Sequence, residues 1–187
     1  MRQVAFVELL RELGLSSSIR AAILGVIIGR MAVPGSELAA HRWLCQQSGL
    51  GELLDVDFER MPLMTLYRAS DALMKYRDII ERTLFNRVQD LLGLNITVTL
   101  YDLTNTYFEG TAAANPKAYN GRSKEKRSDC PLVTLGLVLD WSGFVRRSET
   151  FEGNVSEGKT LERMLNGLGA PAGALVVMMQ ASPPRPI

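Results

Sequence analysis

Apolar residues recur at helical spacing through the first half of the chain. Val4, Val7, Leu10 and Leu13 fall at three-residue intervals up to Gly14 and predict a first helix; Ser16 to Ser18 offer caps for a second, running from Ile19 towards Ala32. Val33-Pro34-Gly35 interrupts the pattern, and Ser36 predicts a third helix reaching about Gln47, closed by Ser48-Gly49. The acidic, aperiodic stretch Gly51 to Glu59 reads as a connector. Leu66, Leu73, Tyr76, Ile80, Leu84, Val88 and Leu91 then line one face of a single long helix ended by Gly93, with Asp71/Lys75 and Asp78/Arg82 as i,i+4 pairs on the other face.

The period changes at Asn95. Ile96 to Tyr101 is dense in β-branched and aromatic residues with alternation, which predicts a strand ending at Asp102. Gly110 to Asp129 is polar and has no period. Leu132 to Leu139 is almost wholly apolar, as expected of a central strand buried on both faces. Asp140-Trp141-Ser142-Gly143 is turn chemistry, so Phe144 to Phe151 should return as an antiparallel partner. Leu161, Met164, Leu165 and Leu168 mark a short helix closed by Gly169, and Ala174 to Met178 begin one more strand. The order strand, strand, strand, helix, strand after a helical half predicts an α+β or α/β chain with a mixed sheet.

A length of 187 residues allows one medium domain, or a small domain with an appendage. With 47% apolar and 22% charged residues the chain should fold, and a net charge of +1 encodes no bulk attraction to nucleic acid or anionic lipid. Cys45 and Cys130 form no CxxC and His41 has no spaced partner, so zinc and disulfide frameworks lack ligands and a reduced, cytoplasmic protein is expected. The longest apolar run, Ala21 to Ile28, lies between Arg20 and Arg30 and falls well short of the roughly 20 residues of a membrane span. No signal peptide pattern opens the chain, and no membrane contact is expected.

The leading chemical candidate is Asp102. A carboxylate fixed at the end of a buried strand suits Mg2+, which tolerates little misplacement of its oxygen ligands, although a strand-end Asp is more often a turn or cap residue. Lys117, Arg122, Lys124, Lys126 and Arg127, broken only by Glu125 and close to Tyr119, either meet phosphates or form a solvated loop. Glu149, Glu152 and Glu157 are candidates for further acidic ligands, against a plain surface and turn role. Asp140 has a hairpin explanation, Asp129 precedes Cys130-Pro131, and His41 reads as a packed or surface helix residue.

Several ordered motifs together carry a family resemblance. Tyr101-Asp102-Leu103-Thr104-Asn105-Thr106-Tyr107-Phe108-Glu109-Gly110, Ser123-Lys124-Glu125-Lys126-Arg127-Ser128-Asp129, Leu135-Gly136-Leu137-Val138-Leu139-Asp140, and Phe151-Glu152-Gly153-Asn154 with Ser156-Glu157 resemble the central region of bacterial insertion-sequence DDE transposases of the insertion-sequence-four type, over about Leu63 to Val177. The resemblance implies a ribonuclease-H-like fold in which three carboxylates hold two Mg2+ or Mn2+ ions for in-line displacement at DNA phosphates. Asp102 matches the first of the three. The second should follow the strand at 174–178, where this chain has Met179, and the helix carrying the third has no counterpart before Ile187. Metal binding is therefore expected to be weak or absent.

Restoring one base after the first ATG of Met178-Met179-Gln180-Ala181 would read Met-Asp-Ala, so 179–187 is expected to be an out-of-frame tail. The resulting division is a helical region over 1–94 for transposon-end binding or subunit contact, an incomplete ribonuclease-H-like sheet over 95–178, and that tail. Implied partners are transposon terminal repeats and a second copy or a full-length transposase. The alternative function is a non-catalytic DNA-binding or dimerising chain that regulates the full-length enzyme.

Overall fold

The computed structural model describes residues 5–93, 98–121, 129–166, 168 and 175–178. It is an α+β chain dividing into two compact units, Met1–Ile80 and Glu81–Ile187. Composition places the change at 94/95, within a segment outside the described residues; compactness groups the helix from Glu81 onward with the sheet.

In the first unit α1 (Phe6–Glu12) ends at Gly14, whose φ of +72° is open to glycine at little cost. Both predicted serine caps form. Ser16 Oγ accepts the Ile19 N–H at 3.3 Å and starts α2 (Ser17–Ala32), and Ser36 Oγ accepts the Ala39 N–H at 3.3 Å and starts α3 (Glu37–Gln46). The predicted connector contains a short helix, α4 (Leu50–Leu54), closed by Asp55 in the left-handed region. Five residues give no period to read, which is why the sequence pattern misses it.

The predicted single long helix is two, α5 (Leu63–Lys75) and α6 (Arg77–Leu92), parted at Tyr76 with φ −101° and ψ 12°. A one-residue break leaves the apolar period almost in phase, so the pattern reads straight through it. The break also changes the charge pairing: Asp78 meets its neighbour Arg77 at 3.0 Å, and the Lys75 ammonium lies 5.1 Å from the centre of the Tyr76 ring.

Helix α2 packs on α3 and α5, with Ala22, Ile23, Leu66 and Ala69 fully buried. A side chain at Gly25 would come within 2.9 Å of Leu44 Cδ1, so glycine there permits the approach of α3. His41 is a packed helix residue: its Nε2 donates to the Met61 carbonyl at 2.8 Å, while the Cys45 thiol donates to the Phe58 carbonyl at 3.3 Å. Burial, followed by the charges of Glu59 and Asp57, pushes that thiol's pKa up. No single described helix is long and apolar enough to cross a membrane.

The second unit is built on a four-stranded sheet of β1 (Val98–Tyr107), β2 (Leu132–Asp140), β3 (Val145–Glu152) and β4 (Leu175–Met178) in the order β3-β2-β1-β4. The first three are antiparallel neighbours, and β4 runs parallel to β1. Helix α7 (Glu157–Asn166) connects β3 towards β4 and packs on β2 and β3. The hairpin forms as predicted: Asp140 Oδ1 accepts the Phe144 N–H at 2.7 Å, and Gly143 turns at φ +85°. Strand β2 is central, but strictly alternating burial, with only one face fully covered, replaces the expected burial on both faces.

Glu37 ties the first unit together, accepting from Arg30 at 2.5 Å and from the Ser70 hydroxyl at 2.9 Å. Burial pushes its pKa up, but its backbone hydrogen bond, Ser70 and Arg30 outweigh that and leave it below the ordinary carboxylate value. A depressed folded-state pKa gives stability that is complete above the unfolded-chain value and is lost as pH falls through the folded value. Thermal unfolding followed by circular dichroism between pH 6 and pH 3 should therefore show a smaller decline in midpoint for Glu37→Gln than for the parent chain. Identical slopes would exclude the effect.

Candidate functional site

Pairing on both edges of β1 fixes which way each of its side chains points. Tyr101 lies opposite Val138 and Asp102 opposite Leu137, which in turn lies opposite Ser148. Directly paired residues share a face, and neighbours along a strand alternate. Tyr101 therefore goes with Val138, Phe151 and Met164 into the core beneath α7, where its hydroxyl donates to Thr160 Oγ1 at 2.7 Å. Asp102, half-buried, stands on the other face in a row with Leu137 and Ser148.

Asp102 is not at the end of β1, as the sequence led us to expect. Five more residues, Leu103 to Tyr107, continue the ladder to β2. The alternating Leu-Thr-Asn-Thr-Tyr is β-compatible, and its polar members hid the extension. On the opposite edge the described pairing with β4 runs from Val98↔Leu175 to Tyr101↔Met178, next to Asp102. The next residue in each strand is Asp102 on one and Met179 on the other; Met179 lies outside the described residues.

The remaining acids do not join Asp102. Glu149 is buried on the α7 face, where it binds Arg163 at 2.6 Å and Arg147 at 3.2 Å, with Arg163 stacked over Phe151. Its expected surface role is thus replaced by a buried ion-pair network, since α7 covers this part of the edge strand. Asp140 is buried in the hairpin turn and Glu152 closes β3. Glu152 is four residues along β3 and two strands across from the Asp102 row, on the order of 17 Å away by sheet geometry. The side chain of Glu157 is outside the described residues.

Nothing in the local pattern singles out Glu81. It reaches the Asp102 face from α6, but its carboxylate accepts from the Ser148 N–H at 2.8 Å and from the Ser148 hydroxyl. Among the described residues no three His, Cys, Asp or Glu side chains converge as metal ligands. The donor set of a two-metal site is incomplete in them.

Of the basic cluster, Arg122, Lys124, Lys126 and Arg127 lie outside the described residues. Lys117 is half-buried, and its ammonium donates to the Thr150 carbonyl while its backbone carbonyl accepts from Gly153. It anchors the loop to the end of β3. A cleft of about 630 Å3 opens beside this loop, lined by Glu109, Tyr119, Asn120 and Asp129 among others. It sits at the Tyr107↔Leu132 end of the β1–β2 ladder, five pairs from Asp102 and so roughly 17 Å away.

Compared with protein-family models, with curated proteins and with solved structures, the chain finds no match. The site stands on its own geometry, and one of the tightest points of that geometry is Gly153. Three backbone segments cross there: an added Cβ would lie 2.1 Å from the Leu132 carbonyl oxygen and 2.4 Å from that of Tyr119. Backbone atoms cannot yield as a flexible side chain does. Gly153→Ala should cost about 3 kcal/mol or more, read as a lowered midpoint in urea unfolding; a midpoint within experimental error of the parent would contradict the crossing.

Proposed function

We propose that this chain carries the opening part of a DDE-type transposase catalytic fold of the ribonuclease-H-like kind, and that it does not itself cut or join DNA. One observation supports the reading above the rest. Three antiparallel strands, a helix and a fourth strand parallel to the first place an aspartate on β1 next to the last described pair with β4. In the resembled family that place belongs to the first catalytic carboxylate, and the residue following β4 to the second.

Here the position after β4 is Met179, whose thioether does not replace a carboxylate for a hard cation. Groups of a catalytic unit fail together, so replacement of the second carboxylate alone leaves no fraction of the activity to observe. The partner implied is DNA. With Lys117 turned inward, the phosphate contacts fall to Arg122, Lys124, Lys126 and Arg127, each of which would steepen the salt dependence of binding.

Two measurements test the proposal. Mn2+ binding followed by electron paramagnetic resonance should be no tighter than at an isolated carboxylate. In Met179→Asp it should tighten at least tenfold, and adding Asp102→Asn should abolish that gain. A folded Met179→Asp chain with no gain in affinity would remove the basis for pairing these two positions. On duplex DNA carrying candidate terminal repeats, no Mg2+-dependent nicking is expected; nicking by the parent chain that Asp102→Ala abolishes would overturn the claim of inactivity.

A further inference from the structure

Within the first unit a cleft of about 610 Å3 opens between the first turns of α2 and the connector that follows α4. That volume falls in the usual range of small-molecule sites, roughly 300–1,000 Å3. Most of its lining is apolar, with Val7 of α1, Ala21 and Leu24 of α2, and Leu54, Val56 and Met61 on the connector side. Four charged side chains share the same lining: Arg20, Asp55, Asp57 and Arg60.

Two of these four charges satisfy each other. Asp57 Oδ1 accepts the Glu59 and Arg60 N–H groups at 3.0 and 3.1 Å, and its Oδ2 meets Arg60 Nε at 3.2 Å. The other two have no counter-ion among the described residues. Arg20, half-buried on the α2 side, donates through Nη1 to the Leu15 carbonyl, a neutral acceptor that leaves its positive charge unbalanced. Asp55, on the connector side, makes no side-chain hydrogen bond or ion pair with them. We propose that this cleft binds a small zwitterion with an apolar body, namely an apolar α-amino acid. Its carboxylate meets the Arg20 guanidinium beside Ser17 and Ser18, its ammonium meets Asp55, and its side chain lies against Leu24, Val56 and Met61. One unbalanced charge of each sign selects a ligand that carries both. A phosphate group would leave Asp55 facing like charge, and an apolar amine would leave Arg20 unpaired.

The connector wall is built before any ligand arrives. Asp55 closes α4 at φ +54°, the Val56 N–H donates to the Gly51 carbonyl at 2.9 Å, and Asp57 holds the following turn through its two backbone contacts. Gly51 packs so closely beneath it that an added Cβ would lie 2.7 Å from the Val56 carbonyl oxygen. On the opposite wall Ala21 and Leu24 are buried in the helix packing. Walls already fixed in place lower the ordering cost of binding. The inference does not depend on the assignment of Asp102.

Isothermal titration calorimetry of the full chain tests it. L-leucine and L-phenylalanine should bind with dissociation constants below about 1 mM, as ligands of about ten heavy atoms allow. Glycine lacks the apolar body, 3-phenylpropionate the amine and 2-phenylethylamine the carboxylate, and each should bind at least tenfold more weakly. Asp55→Asn removes the charge and keeps a residue that accepts positive φ, so it should weaken phenylalanine at least tenfold while sparing 3-phenylpropionate. Arg20→Gln should weaken phenylalanine likewise. Because that change also touches the start of α2, the exposed Asp55 variant keeps the test open if Arg20→Gln misfolds. No saturable binding of either amino acid at about 10 mM would overturn the proposal. So would 3-phenylpropionate bound as tightly as phenylalanine, or a phenylalanine affinity unchanged in Asp55→Asn.

Discussion

Strand β1 is hydrogen-bonded along both edges, antiparallel to β2 on one and parallel to β4 on the other, and the second unit depends on that double pairing. A slip of one residue would turn every side chain of the strand to the opposite face. It would bring Asp102 under α7 and expel Tyr101, whose ring fills the core and whose hydroxyl bonds Thr160. Two ladders and one buried aromatic thus specify the register. The face on which the carboxylate stands is set by the pairing of the whole strand.

The rest of the sheet's charge serves the fold. Glu149 bridges Arg147 and Arg163 where α7 meets β3, and Asp140 organises the hairpin turn. The Asp140 Oδ2 and Arg147 Nε atoms are buried without a hydrogen-bond partner among the described residues. Such atoms cost stability, and burial also pulls the Arg146 pKa down, partly offset by the charge of Asp140. Asp140 and Glu149 are thereby accounted for by contacts that would exist with or without chemistry. Asp102, on the other face, is set apart from them by position.

Helices with a serine at the start and a full apolar stripe were legible: Ser16 and Ser36 cap where the pattern says, and Leu10, Ile23 and Leu66 are buried. So was the β2–β3 hairpin, because Asp-Trp-Ser-Gly admits few other conformations. What escaped had no local signal. The break at Tyr76 barely disturbs the apolar phase, and α4 is too short for a period. Glu81 acts on a strand 67 residues away. Glu149 was read as an edge-strand surface residue because nothing nearby in sequence tells that α7 will cover it. The position of Asp102 was read correctly as β, but its place in the middle of the strand follows from long-range pairing with Leu132 to Leu137, which composition does not encode.

The same long-range contacts shape how the sheet can meet other molecules. An open edge strand offers unpaired N–H groups to any extended segment, and β3 is such an edge. Its outward Ser148 N–H is already taken by Glu81, and the bulge between Val138 and Leu139 breaks the regular spacing of the ladder next to it. Strand addition at β3 would have to displace a charge-assisted bond and straighten the bulge.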